Sequence, residues 1–123
     1  MTKAQYVDGF VLSIPKKNTA MYKKMAREGN KVWKRFGALD YMECMIDDAE
    51  PQSVSFTFPK MAKCKPGETV WFSFITFKSR KHRDDVNKKV MAYFSDKYGK
   101  NEMPMPFDMK RFAYGGFKVV VSE

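Results

Sequence analysis

The alternation of hydrophobic and polar positions gives its strongest signal at Thr69-Val70-Trp71-Phe72-Ser73-Phe74-Ile75-Thr76-Phe77. A strand turns successive residues to opposite sides. Trp71, Ser73, Ile75 and Phe77 therefore share one face and Val70, Phe72, Phe74 and Thr76 the other. Both faces are apolar, which predicts a central strand covered on two sides. Residues 6–14 are rich in β-branched and aromatic types and stop at Pro15, predicting a first strand. Asn18 or Thr19 then caps a helix that runs to about residue 36. Its stripe of Met21, Tyr22, Met25, Ala26, Val32, Trp33 and Phe36 has helical spacing, with Lys23, Lys24, Arg27, Lys31 and Lys34 largely on the solvated side. Gly29 interrupts that stripe at a cost in helix propensity, and Gly37 is placed to end the helix.

Residues 39–47 alternate again, Tyr41, Glu43 and Met45 against Met42, Cys44 and Ile46, predicting a second strand in which Cys44 is a small buried side chain. Segment 53–62 reads at most as an extra edge strand weakened by Pro59. Ser79 caps a second helix over about 80–97, with Val86, Val90 and Phe94 on its buried side and Arg83 and Asn87 continuing that stripe. Two prolines make 103–108 an apolar loop lying across the fold, and 111–121 returns as the last strand, with Gly115-Gly116 marking a bulge or a close backbone approach. The order β-α-β-β-α-β is that of an α+β ferredoxin-like sandwich. It predicts one domain over residues 1–123, with a four-stranded antiparallel sheet and both helices on one face.

Two helices leave the other sheet face bare, and Phe72 and Phe74 are expected there, joined by Phe10 from the first strand. A patch of that kind calls for an occupant. A second copy, sheet to sheet, would close a dimeric α+β barrel with Phe10, Phe72 and Phe74 in its interface. RNA is the alternative, because Phe72 through Phe77 is similar to the centre of an RNP1 octamer. Val70 and Trp71 stand where that octamer has a basic residue and then glycine, so the homodimer is the leading expectation.

Composition narrows the rest. The net charge of +9, from 23 Lys and Arg against 14 Asp and Glu, is spread along the chain and reads as a solvated basic surface rather than a tail. Cys44 and Cys64 make no disulfide framework, and Cys64, between Lys63 and Lys65, is the more reactive thiol. No leader pattern and no apolar run long enough for a membrane span predict a cytoplasmic protein. His82 is the single histidine, and no P-loop or dinucleotide fingerprint is present, so neither a metal nor a cofactor is expected.

The stretches Tyr6-Val7-Asp8-Gly9-Phe10, Gly37-Ala38-Leu39, Glu43-Cys44, Val70 through Ser73, and Ser79 with Arg83-Asp84 and Asn87 together resemble the YbaA family of small, uncharacterised bacterial proteins. Met105-Pro106-Phe107-Asp108, Lys110-Arg111 and Tyr114-Gly115-Gly116-Phe117 extend the resemblance over nearly the whole chain. It implies a ferredoxin-like domain that pairs into a dimeric α+β barrel, and it carries no established reaction. In the wider barrel superfamily it suggests, small molecules bind between sheet and helices. The polar residues set within or beside apolar segments, Asp8, Glu43, Arg83, Asp108, Arg111 and Tyr114, with Trp71 as wall, are then the ligand-binding candidates. Asp8 and Glu43 suit acid or base work if burial raises their pKa, but pairing with Arg83 or Arg111 as structural ion pairs is the stronger expectation. Arg83 would either hold a carboxylate or phosphate or bridge to Asp108. The expected function is a homodimeric barrel protein binding a small anionic organic molecule, with cofactor-free turnover left open and an RNA-binding module as the alternative.

Overall fold

In a computed structural model, which describes residues 3–99 and 105–123, the central strand is β3 (Glu68–Phe77). It lies between β1 (Tyr6–Pro15) and the edge strand β2 (Asp40–Met45), and β4 (Ala113–Lys118) pairs with the far side of β1. All three pairings are antiparallel and the strand order is β2-β3-β1-β4. With α1 (Thr19–Arg35) after β1 and α3 (Arg80–Tyr98) after β3, this is the expected ferredoxin-like arrangement.

Period-two alternation then assigns the two faces. Toward the helices β3 turns Trp71, Ser73, Ile75 and Phe77, and β1 turns Tyr6, Asp8, Leu12 and Ile14. Ile75 and Phe77 pack with Val32, Val86 and Val90, while Trp71, Leu12 and Ile14 pack with Tyr22, Ala26 and Phe107. Phe107 comes from the proline loop. Asn18 ties that loop down by donating from Nδ2 to the Pro106 carbonyl at 2.9 Å. The first half of the loop, Met103-Pro104, lies outside the described residues.

The helix ends follow local chemistry. Ser79 accepts from the His82 N–H at 3.0 Å, as a cap should, and Gly37 at φ +119° ends α1 in a conformation that a side chain would strain. Asn18 precedes α1 without capping it, its side chain being spent on Pro106.

Three expectations are corrected. Phe10 lies opposite Ser73, on the helix side, where it stacks on Tyr114 at 4.8 Å; Val11 is the β1 residue opposite Phe72. Cys44 is opposite Phe72 and exposed on the bare face rather than buried. Segment 53–62 is no strand. It holds the short helix α2 (Phe58–Met61), capped by Thr57 with Pro59 in its first turn, where a missing N–H costs nothing. Ser13 Oγ donates to the Ala62 carbonyl at 2.9 Å, so this connection covers the Ser13–Val70 end of the bare face and leaves Phe72 outside it.

The far end of that connection is pinned by an ion pair. Arg111 donates through both terminal nitrogens to the Glu68 carboxylate at 2.6 and 2.7 Å, and Nη1 also donates to the Lys63 carbonyl at 2.9 Å. Hydrogen bonds from Arg111 hold Glu68 far below its ordinary 4.5, at about 2. The stabilisation is present above pH 4.5 and is lost as pH falls towards 2. Urea unfolding followed between those limits should show it. Parent stability falls more steeply with acid than that of Glu68→Gln, and parallel acid limbs would remove the pair from the account.

Candidate functional site

The sequence candidates separate into three places. Asp108 and Arg111 meet at 3.1 Å beside Glu68 and form the structural clamp just described, so Arg83 makes no bridge to Asp108. Asp8, Arg83 and Tyr114 meet under the β1–β4 side of the sheet. Glu43 and Trp71 lie under the β2 edge, in the wall of a cavity.

At the first place, Arg83 Nη1 donates to Asp8 Oδ1 and to the Tyr114 hydroxyl, both at 2.7 Å, and its Nε donates to Asp84 at 2.8 Å. Asn87 Nδ2 donates to Asp8 Oδ2 at 3.3 Å and in turn accepts from Trp33 Nε1 at 2.9 Å. The guanidinium also lies over the Tyr6 ring, 5.0 Å from its centroid. Asp8 is 1% exposed, and burial pushes its carboxyl above the usual range against the pull of Arg83. Both oxygens of Asp8 are held by donors, and among the described residues no buried polar atom of this network lacks a partner, which is how a structural ion pair is built. The network also explains Gly116. A Cβ there would run into the Tyr6 hydroxyl and come within 2.9 Å of Arg83 Nη1, so a side chain at this position would have to push that pair aside.

The cavity has a volume of about 350 Å³ and lies between α1 and the edge strand. Tyr41, Glu43 and Met45 line it from β2, Trp71 from β3, and Lys23, Ala26, Arg27 and Asn30 from α1. Tyr22 Oη donates to Glu43 Oε1 at 2.6 Å and Tyr41 Oη to Oε2 at 2.7 Å, so each carboxyl oxygen is fixed by a phenol. No cation pairs with Glu43 among the described residues. Burial pushes its carboxyl up, against the hydrogen bonds from both tyrosines, and burial with the carboxylate beside them pushes both phenols up as well. A carboxyl whose charged form burial disfavours, held in one orientation by two phenols, is a group that can take or give a proton.

Gly29 belongs to this geometry. A Cβ at that position would lie 2.9 Å from the Tyr41 hydroxyl, so the break in the helical stripe is where the helix lets Tyr41 reach Glu43. Trp71 is 4% exposed, and its Nε1 is the buried side-chain polar atom left without a partner among the described residues. An unpaired buried donor costs about 1–3 kcal/mol. Lys23, Arg27 and Asn30 at the mouth add positive charge and an amide.

Of the seven sequence candidates, two line the cavity. Tyr22, Tyr41, Lys23, Arg27 and Asn30 were missed as site residues. The legible signal was Tyr41 and Glu43 two apart on one strand face; Tyr22 reaches them only through the tertiary fold.

Residues 5–109 match the sequence profile of a family described as "Protein of unknown function (DUF1428)". The chain belongs to the DUF1428 family. The matched span contains every residue lining the cavity, together with Asp8, Arg83 and Asn87. Among its relatives are the proteins called "Uncharacterized protein YbaA" in Escherichia coli strain K12 and in Shigella flexneri. Each is 38% identical over 120 residues, covering 97% of this chain and 99% of the relative. Among solved structures, a dimeric ferredoxin-like protein from an uncultured marine organism aligns with a TM-score of 0.56 at 13% identity, over 98% of this chain and 100% of that one. At that identity the likeness establishes the fold that this DUF1428 chain shares with it. The family description carries no reaction, so the chemistry has to be argued from the cavity itself.

Proposed function

We propose that this protein is a homodimeric α+β barrel that binds a small organic anion in the cavity between α1 and β2. The observation that carries the reading is the cavity wall: a carboxyl fixed by two phenols, an indole N–H with no partner among the described residues, and Lys23 and Arg27 at the mouth. Such a set offers hydrogen-bonding groups inside and cationic attraction at the entrance, which suits a carboxylate carried on an apolar body. Glu43 gives the bound molecule a proton donor or acceptor, so cofactor-free turnover is compatible with the same wall.

The dimer is supported by the bare sheet face. Val7, Val11, Met42, Cys44, Phe72, Phe74 and Phe117 share it, with Met42 51%, Phe72 43% and Phe117 62% exposed. Among the described residues no Lys or Arg stands at an outward strand position of this face, which gives RNA phosphates no strand partner there and favours a second apolar sheet. A cytoplasmic setting fits the two free cysteines, and no helix among the described residues is long and apolar enough to cross a membrane.

The ligand reading is tested by thermal shift with a panel of small aromatic and aliphatic carboxylates. A compound present at about 100 times its Kd should stabilise the parent by about 2.7 kcal/mol. Arg27→Ala should remove the shift while melting near the parent without ligand. A parent that no carboxylate stabilises, or a shift that survives Arg27→Ala, contradicts the reading.

A further inference from the structure

The outer layer of the molecule carries a second concavity, a groove of about 440 Å³ between α1 and α3. Its lining is Lys24, Arg27, Glu28, Lys31, Val32 and Arg35 from α1 with Tyr93 and Lys97 from α3. Glu28 is its single acid among the described residues, and that carboxylate is already engaged by Lys97 at 3.0 Å and by the Tyr98 hydroxyl. Lys24, Arg27, Lys31 and Arg35 are exposed, and none of them forms an ion pair among the described residues.

The spacing of these four is i, i+3, i+7 and i+11, which puts them on one stripe of the helix, within an arc of roughly 80° at 3.6 residues per turn. Like charges three and four residues apart repel and weaken a helix by a few tenths of a kcal/mol per pair. Along the axis successive members rise by about 4.5, 6 and 6 Å, about 16 Å in all. A row of cations with that step matches consecutive negative charges on a flexible strand. Arg27 and Arg35 add planar forks suited to phosphate oxygens. Arg35 is steadied against the Tyr93 ring, 5.7 Å from its centroid.

We propose that the α1–α3 groove is a binding surface for the phosphate backbone of single-stranded nucleic acid. It lies on the layer opposite the aromatic sheet face. It is therefore independent of the dimer, and apart from Arg27, which lines both concavities, of the ligand cavity. Contact there is to the backbone, so binding is insensitive to base sequence and strongly dependent on salt.

The test is fluorescence anisotropy of the whole protein with a labelled oligouridylate over a salt series. Four phosphate contacts predict a log–log salt slope of about −3. Lys24→Glu/Lys31→Glu should weaken binding by at least about 10-fold and flatten the slope by about 1.4. Lys81→Glu/Lys88→Glu makes the same charge change on exposed positions of α3 outside the groove and should stay within about 2-fold of the parent. Phe72→Ala should have no effect. The proposal is overturned if the parent does not bind at low salt or if the two charge variants weaken binding equally. A loss confined to Phe72→Ala would also overturn it, moving the contact to the sheet face.

Discussion

Arg83→Met should destabilise the folded protein by about 3–5 kcal/mol, because it strips the cation from a carboxylate that is almost wholly buried. That is a large share of the roughly 5–15 kcal/mol that holds a domain of this kind together. Methionine keeps an unbranched stem and gives up the guanidinium with its contact to the Tyr6 ring, so the loss reports the charged head rather than the stem. Asp8→Asn in the same background should recover much of it, since an amide costs far less to bury than an unpaired carboxylate. Two-state urea unfolding of the parent, both single variants and the double variant gives the coupling directly. A strictly additive cycle would mean that the pair does not act as a unit and would restore Arg83 as a group free to hold a ligand.

Phe72→Asp should convert the proposed dimer to a monomer while leaving the chain folded. In a single subunit Phe72 is 43% exposed, so aspartate there disturbs the subunit core little. In a sheet-to-sheet dimer it places a charge in the middle of an apolar interface, and the two-fold puts a second aspartate across from it. Sedimentation at micromolar concentration should show the mass halved with circular dichroism unchanged. A Phe72→Asp protein that keeps the parent's mass would exclude this face from the interface.

Much of this architecture is legible in the sequence because it rests on local rules. Alternation through Trp71–Phe77 assigns the two faces of the central strand, Ser79 marks the start of α3, and Gly37 closes α1. The stripe of Val86, Val90 and Phe94, continued by Arg83 and Asn87, turns polar toward the sheet in the first two turns of α3, where Asp8 accepts from both. What is not legible depends on register between segments. In β1 both faces are apolar, so nothing local says whether Phe10 or Val11 stands beside Phe72; only the pairing of Phe10 with Ser73 decides it. Cys44 shares that ambiguity, since an apolar edge strand gives no sign of which side is covered. The stretch around Pro59 reads equally as a poor strand or as a first helical turn, and Thr57 tips it to the helix by capping it.

The candidate site divides along the same line. Glu43 and Trp71 are visible as a polar residue and an indole on inward strand positions. The phenol of Tyr22 and the rim of Lys23, Arg27 and Asn30 follow from how α1 lies over β2. Gly29 is the instructive case. By propensity it is a flaw in the helix, and in the fold it is the clearance that lets the Tyr41 hydroxyl reach Glu43.

The most direct test is the mass of the unmodified protein by light scattering in high salt, where charge-driven association is screened and apolar burial is not. A sheet-to-sheet dimer gives twice the 14.4 kDa of the chain, held on dilution through the micromolar range. A stable 14.4 kDa particle under those conditions would leave Met42, Phe72 and Phe117 facing water and would contradict it.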